Sequence, residues 1–243
     1  MGKKLRYTIP NSFTALSLLL GTSAIVTGQL GNLELACWMI VWCGLLDVMD
    51  GVAARLLNAT SDFGAEFDSM ADLVAFGVAP GIIVMQVSLE LGSIELFAPA
   101  FWFLLASVGV FVLCGAMRLA RFNLHTDDPP AGWFSGLPIT GAGGGLIATG
   151  CILLIRYPDI AESMQLYAYL PAVMFALGLG LISSIRFPKA KIRENKFING
   201  FQAINVLASY YCGVTRSFPE YLFFMGLFLL VAGIVAGRIS NPD

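Results

Sequence analysis

Asp47, Asp50, Asp68 and Asp72 sit inside two stretches that are otherwise strongly apolar, about residues 33–57 and 66–89. Each stretch is long enough to cross the hydrocarbon core of a bilayer, which takes about 20 mostly apolar residues. An ionised side chain near the membrane centre costs at least ~2.5 kcal/mol. Four acids so placed need a compensating charge, and a divalent cation is the direct one. The fold must therefore bring the two stretches together around that charge.

The rest of the chain is equally apolar. Of its 243 residues, 57% are hydrophobic and 12% charged, against about 25% charged in a soluble domain. The composition predicts an all-α integral membrane protein, a single polytopic domain over residues 1–243 with no soluble domain. Eight candidate spans follow, at about 11–30, 33–57, 66–89, 97–122, 136–156, 165–185, 198–215 and 219–239. The seventh carries Asn199, Gln202 and Asn205 and is the least apolar. Lys3-Lys4-Leu5-Arg6 precedes a long apolar run with no A-x-A site after it, which reads as a retained first helix rather than a signal peptide.

Charge gives an orientation. With eight spans and a cytoplasmic N-terminus, 12 of the 14 Lys and Arg residues fall inside, and only Arg156 and Arg216 outside. The outer loops carry Glu34, Glu90, Glu95, Asp159, Glu162 and Glu220. The aspartates then lie towards the cytoplasmic side. Lys189, Lys191, Arg193 and Lys196 form a basic run suited to anionic lipid; nothing supports nucleic-acid binding. The five cysteines contain no CxxC pair and read as small buried hydrophobes. The one histidine, His125, lies in a polar loop, and a His-based zinc site is excluded.

Asp47 and Asp50 share a helical face at i, i+3, and Asp68 and Asp72 do so at i, i+4. A short connection with Asn58, Thr60, Ser61 and Gly64 makes the two helices antiparallel neighbours. Gly51, Ala54 and Gly64 permit close approach. An all-oxygen ligand set favours Mg²⁺ or Mn²⁺, and four carboxylates are enough to clamp a diphosphate with two ions. Gly141–Gly145 is not a phosphate loop, since no Lys-Ser/Thr follows; it reads as a packing surface.

The pattern Asp47-x2-Asp50-Gly51-x2-Ala54-Arg55-x8-Gly64-x3-Asp68-x3-Asp72 resembles in full the signature of the CDP-alcohol phosphatidyltransferase family. That family moves a phosphatidyl group from a CDP-linked lipid to an alcohol and releases CMP. The resemblance implies a six-helix core over about residues 8–191, with two further helices at about 198–239. It implies one metal held by Asp47, Asp50 and Asp68 and a second by Asp47, Asp68 and Asp72, with Asp72 also the base for the acceptor hydroxyl. Gly51, Ala54, Arg55, Ser61 and Gly64 would line the CDP-lipid site. Pro10, Asn11 and Thr14, at the start of the first helix, resemble the family's other nucleotide contact. A homodimer is implied as well.

Three later stretches resemble the phosphatidylserine synthase branch: Gly115-x2-Arg118-Leu-Ala-Arg121-Phe-Asn123, Phe134-Ser-Gly136-Leu-Pro138, and Ser184-Ile-Arg186-Phe-Pro188-x-x-Lys191. The branch implies CDP-diacylglycerol and L-serine as substrates at a bacterial or archaeal cytoplasmic membrane. Arg118 and Arg121 would meet the serine carboxylate and a lipid phosphate, and Asn123 the ammonium group. Alternatives stay open at this point. The same chemistry serves glycerol phosphate, inositol phosphate or choline as acceptor, or an ether-lipid donor. A cation transporter would also bury acids, but it leaves the spacing of Gly51, Ala54 and Arg55 unexplained and predicts repeated halves that are not evident.

Overall fold

The computed structural model describes residues 3–92, 94–124, 133–188 and 196–239. The loop around His125 and the basic residues Lys189, Lys191 and Arg193 lie outside them. The described chain is almost wholly helical: α1 Lys3–Gln29, α2 Leu33–Leu56, α3 Asp62–Glu90, α4 Pro99–Asn123, α5 Gly141–Arg156, α6 Pro158–Ser163, α7 Leu166–Ile182, α8 Lys196–Thr215 and α9 Pro219–Ile239. In α1, α2, α3, α4 and α9 the apolar run is long enough to cross a membrane, whereas α5 and α7 are shorter apolar helices. The protein is thus an all-α integral membrane protein. Each of the eight expected spans has a helix, with ends shifted by a few residues. The largest change is at the first, whose helix begins at Lys3 rather than about 11; the fifth starts later than expected, because residues 133–135 are extended.

The helix ends follow local chemistry. Asn32 caps α2 by accepting from the Leu35 amide at 3.2 Å. After α2 the chain turns through Asn58, whose positive φ of 47° suits asparagine just past a helix end. Ser61 then caps α3 by accepting from the Gly64 amide at 3.1 Å. Gly64 therefore belongs to α3 and not to the connection.

α1 and α2 form a closely packed hairpin against α3, and α4 packs along α7. Trp38 and Ile40 from α2, Phe76 from α3, Phe111 from α4 and Ile152 from α5 meet in the buried core. α3 and α5 each contain wider π-helical turns, Leu73–Val78 and Gly141–Ala148. These two segments touch directly, and a Cβ on Gly143 would lie 2.1 Å from the Phe76 carbonyl oxygen. Close backbone approach through small residues is a main source of helix association in lipid.

A short antiparallel ribbon, β1 (Trp133–Ser135) with β2 (Arg186–Pro188), pairs Trp133 with Pro188, Phe134 with Phe187 and Ser135 with Arg186. Three-residue strands leave no alternation for sequence to betray. α9 lies on this ribbon, where a Cβ at Gly237 would meet the Arg186 carbonyl. α8 docks on α2, with Trp42 Nε1 donating to the Gly213 carbonyl at 2.7 Å. At the other end of α2, the Arg156 guanidinium grips Glu34 at 2.9 and 2.7 Å. A cavity of about 320 Å³ beside this pair is lined by Asn32, Glu34, Trp38 and Arg216 among others. It lies 16 residues along α2 from Asp50, about 24 Å at 1.5 Å per residue, so it is separate from the aspartates.

Candidate active site

α2 and α3 place Asp47, Asp50 and Asp68 around one point: one carboxylate oxygen from each lies within 4.8 Å of the other two. Asp50 is buried, and Asp47, Asp68 and Asp72 are half-buried. Oxygens sharing one octahedral ion with bonds of about 2.1 Å stand roughly 3–4 Å apart. A small closure of side chains would therefore seat a small divalent cation. Without a cation, three carboxylates this close repel one another, so the donor set fits a hard divalent ion.

Asp72 lies outside that tight set. One turn beyond Asp68, it is within electrostatic reach of Asp47, Asp68 and Asp50, and Arg118 of α4 opposes its charge. Arg118 is 9% exposed, and its Nε has no hydrogen-bond partner among the described residues. A buried guanidinium N–H without an acceptor is costly. The site so presents an unsatisfied cationic donor near Asp72.

The residues expected to hold the CDP-lipid fall in two places beside the carboxylates. Arg55 is exposed at the end of α2 and folds back so that Nε donates to the Gly51 carbonyl at 2.9 Å. A Cβ on Gly51 would stand 3.8 Å from the Arg55 Nη2, an ordinary contact, so the fold-back itself does not require glycine. Ala54 lies half-buried one turn from Asp50. Asn11, Ser61 and Gly64 come together where α1 meets the start of α3: a Cβ on Gly64 would be 3.1 Å from Ser61 Oγ and 3.3 Å from Asn11 Oδ1. Pro10 is buried within α1. Thr14 reaches the carboxylates themselves, its hydroxyl donating to Asp50 Oδ2 at 2.8 Å.

Arg121 and Asn123 have protein partners. The Arg121 guanidinium donates to the carbonyls of Ile182 at 3.3 Å and Ser135 at 3.5 Å. Asn123 donates to Glu66 at 3.0 Å and accepts from the Ser69 hydroxyl at 3.1 Å, which ties the end of α4 to α3. The three later stretches noted in the sequence thus converge: the end of α4 holds β1 and the end of α7, and β1 pairs with β2. Gly136 is required there. Its φ is +76°, and a Cβ would lie 2.2 Å from the Leu181 carbonyl oxygen.

Sequence reasoning passed over Tyr210 of α8. Its hydroxyl donates to the Leu45 carbonyl at 2.5 Å, two residues before Asp47, within electrostatic reach of Asp47 and Asp50. Glu66 and Ser69 were passed over too, because their partner Asn123 lies over 50 residues away. Nothing in the local sequence marks any of the three.

Comparison with known proteins matches residues 7–182 to the sequence profile of the family described as CDP-alcohol phosphatidyltransferase. The chain is 36% identical over 226 residues to a CDP-diacylglycerol–serine O-phosphatidyltransferase of Helicobacter pylori, covering 92% of this chain and 89% of that protein. A Methanocaldococcus jannaschii protein of the same name is 29% identical over 228 residues, 94% of this chain and 93% of that one. An archaetidylserine synthase of Methanothermobacter thermautotrophicus is 28% identical over 183 residues, 74% of this chain and 70% of that one. With three of the signature aspartates drawn together on adjacent membrane helices and the fourth one turn away, these matches place the chain in the CDP-alcohol phosphatidyltransferase family of membrane transferases.

Proposed function

We propose that this enzyme transfers a phosphatidyl group from CDP-diacylglycerol to the hydroxyl of L-serine and releases CMP. The observation that carries the reading is the meeting of Asp47, Asp50 and Asp68 within 4.8 Å. The serine assignment draws on the names of the relatives and on the convergence of the stretches around Arg118, Gly136 and Arg186.

Asp47, Asp50 and Asp68 would hold one divalent ion, and Asp72 would join Asp47 and Asp68 at a second. Bound Mg²⁺ or Mn²⁺ supplies charge stabilisation for the diphosphate and its leaving group. Asp72 accepts the proton of the serine hydroxyl, a poor nucleophile without such a base. The serine oxygen forms a bond to the phosphatidyl phosphorus as the bond from that phosphorus to the CMP oxygen breaks. Arg55 offers a planar fork to the diphosphate. The unpaired Nε of Arg118 suits an anionic group, the serine carboxylate or a lipid phosphate. Arg121 and Asn123, held by Ile182, Ser135, Glu66 and Ser69, would act from the rim and shape the acceptor pocket.

The charge asymmetry supports eight spans with the N-terminus and the site on the cytoplasmic side, and we assign the functional unit as a homodimer. The archaetidylserine synthase relative favours a second reading that changes only the donor, to a CDP-activated ether lipid.

The test is CMP release by purified protein with Mg²⁺ or Mn²⁺, offering CDP-diacylglycerol or its ether analogue, and serine, glycerol 3-phosphate, inositol phosphate or choline in turn. Serine-dependent release that is lost in Asp72→Asn is expected. Release with a different acceptor alone would overturn the serine assignment.

A further inference from the structure

The Thr14 hydroxyl carries one proton and has two acceptors in reach, Asp50 Oδ2 at 2.8 Å and the Pro10 carbonyl at 3.3 Å. The carboxylate is nearer and charged, and charge-assisted hydrogen bonds are the stronger kind. The pair is shut off from solvent, with Thr14 4% and Asp50 7% exposed. Water therefore cannot easily take over if the hydroxyl is removed, and the carboxylate would lose a partner outright.

The helix that carries Thr14 is fixed on both sides. Gly21 of α1 lies against the α3 backbone, where a Cβ would stand 2.9 Å from the Ala75 Cα. Cys43 of α2 donates to the Ser17 carbonyl at 3.3 Å, one turn along α1 from Thr14. A hydroxyl on so rigid a frame sets the direction in which Asp50 presents its remaining lone pairs. Groups that orient metal ligands in this way typically govern metal affinity by 10–100-fold.

We infer that Thr14 is a positioning residue for the metal centre, holding the Asp50 carboxylate in the orientation in which it joins Asp47 and Asp68 around a divalent cation. This rests on the metal reading above. It gives Thr14 a task other than the nucleotide contact that the resemblance implies. A hydroxyl whose proton is committed to Asp50 retains only acceptor capacity towards a nucleotide.

The test is Mn²⁺ binding to the purified full chain in detergent without lipid substrate, followed by electron paramagnetic resonance of the free ion. Thr14→Val and Thr14→Ala should each weaken Mn²⁺ binding by about tenfold. Thr14→Ser, which keeps the hydroxyl, should bind within about twofold of the unsubstituted protein. At saturating Mn²⁺ the KM for CDP-diacylglycerol should stay unchanged in all three. Two alanine-sized and valine-sized changes guard against misfolding of either one. An unchanged Mn²⁺ affinity in both, with or without a raised KM for CDP-diacylglycerol, overturns the inference and leaves the metal reading standing. No Mn²⁺ binding by the unsubstituted protein, which Asp47→Asn would then leave unaltered, overturns the metal reading and the inference together.

Discussion

Gly143 and Gly145 occupy the same helix two residues apart, and the structure assigns them opposite responses to one added methyl group. A Cβ on Gly143 would lie 2.1 Å from the Phe76 carbonyl oxygen, whereas a Cβ on Gly145 would meet nothing within 4 Å among the described residues. An ordinary carbon–oxygen contact is about 3.3 Å or more, so Gly143→Ala is short by about 1.2 Å. The obstacle is backbone, which cannot rotate away, so α5 must separate from α3. Overpacking of this kind costs about 3 kcal/mol at the upper end. Alanine in place of glycine returns about 1 kcal/mol of helix propensity. The net loss is about 2 kcal/mol, a fall in Tm of about 4–8 °C for a chain of this size. Phe76 is one turn beyond Asp72, so the displacement also reaches the proposed base, and a 1 Å misplacement can cost about 10²-fold in rate. Thermal melting in detergent and CMP release would measure both effects. Gly145→Ala should keep full activity and melt at the same temperature or slightly higher. Gly143→Ala with unaltered Tm and turnover, or equal losses in both variants, would refute the close contact between α3 and α5.

Asp68→Asn should remove Mn²⁺ binding and turnover together, read by metal titration and CMP release. Asp72→Asn should keep Mn²⁺ at the Asp47, Asp50 and Asp68 position while turnover falls by about 10²–10⁴-fold, the usual worth of a general base. Chelation by EDTA should stop the reaction, and added Mg²⁺ or Mn²⁺ should restore it in the unsubstituted protein. Arg118→Ala should raise the KM for serine or abolish turnover; unchanged steady-state kinetics would remove Arg118 from the acceptor site. Glu34→Gln breaks a partly exposed ion pair far from the aspartates, so the melting temperature should drop by no more than the equivalent of about 1 kcal/mol with activity intact.

Much of the protein was legible without its structure because lipid is a demanding solvent. Spans must be long, apolar and helical, so the positions of α1, α2, α3, α4 and α9 follow from composition, and the membrane class with them. The spacing of Asp47, Asp50, Asp68 and Asp72 likewise marks a candidate metal site, since i, i+3 and i, i+4 acids on adjacent helices have few other uses in an apolar setting, and the fold does draw Asp47, Asp50 and Asp68 together. What sequence could not supply depends on contacts between distant residues. The Thr14 hydroxyl on Asp50 spans 36 positions, and that of Tyr210 on Leu45 spans 165. The ribbon of β1 and β2 joins segments too short for any periodicity, and only the fold explains why Gly136 must be glycine. Sequence alone determined which residues are charged in an apolar medium and at what helical phase. Tertiary packing decided which of them are satisfied by a neighbour, as Asp50 is by Thr14, and which, like the Arg118 Nε, are left facing the site, because a membrane interior holds little water to stand in for a protein partner.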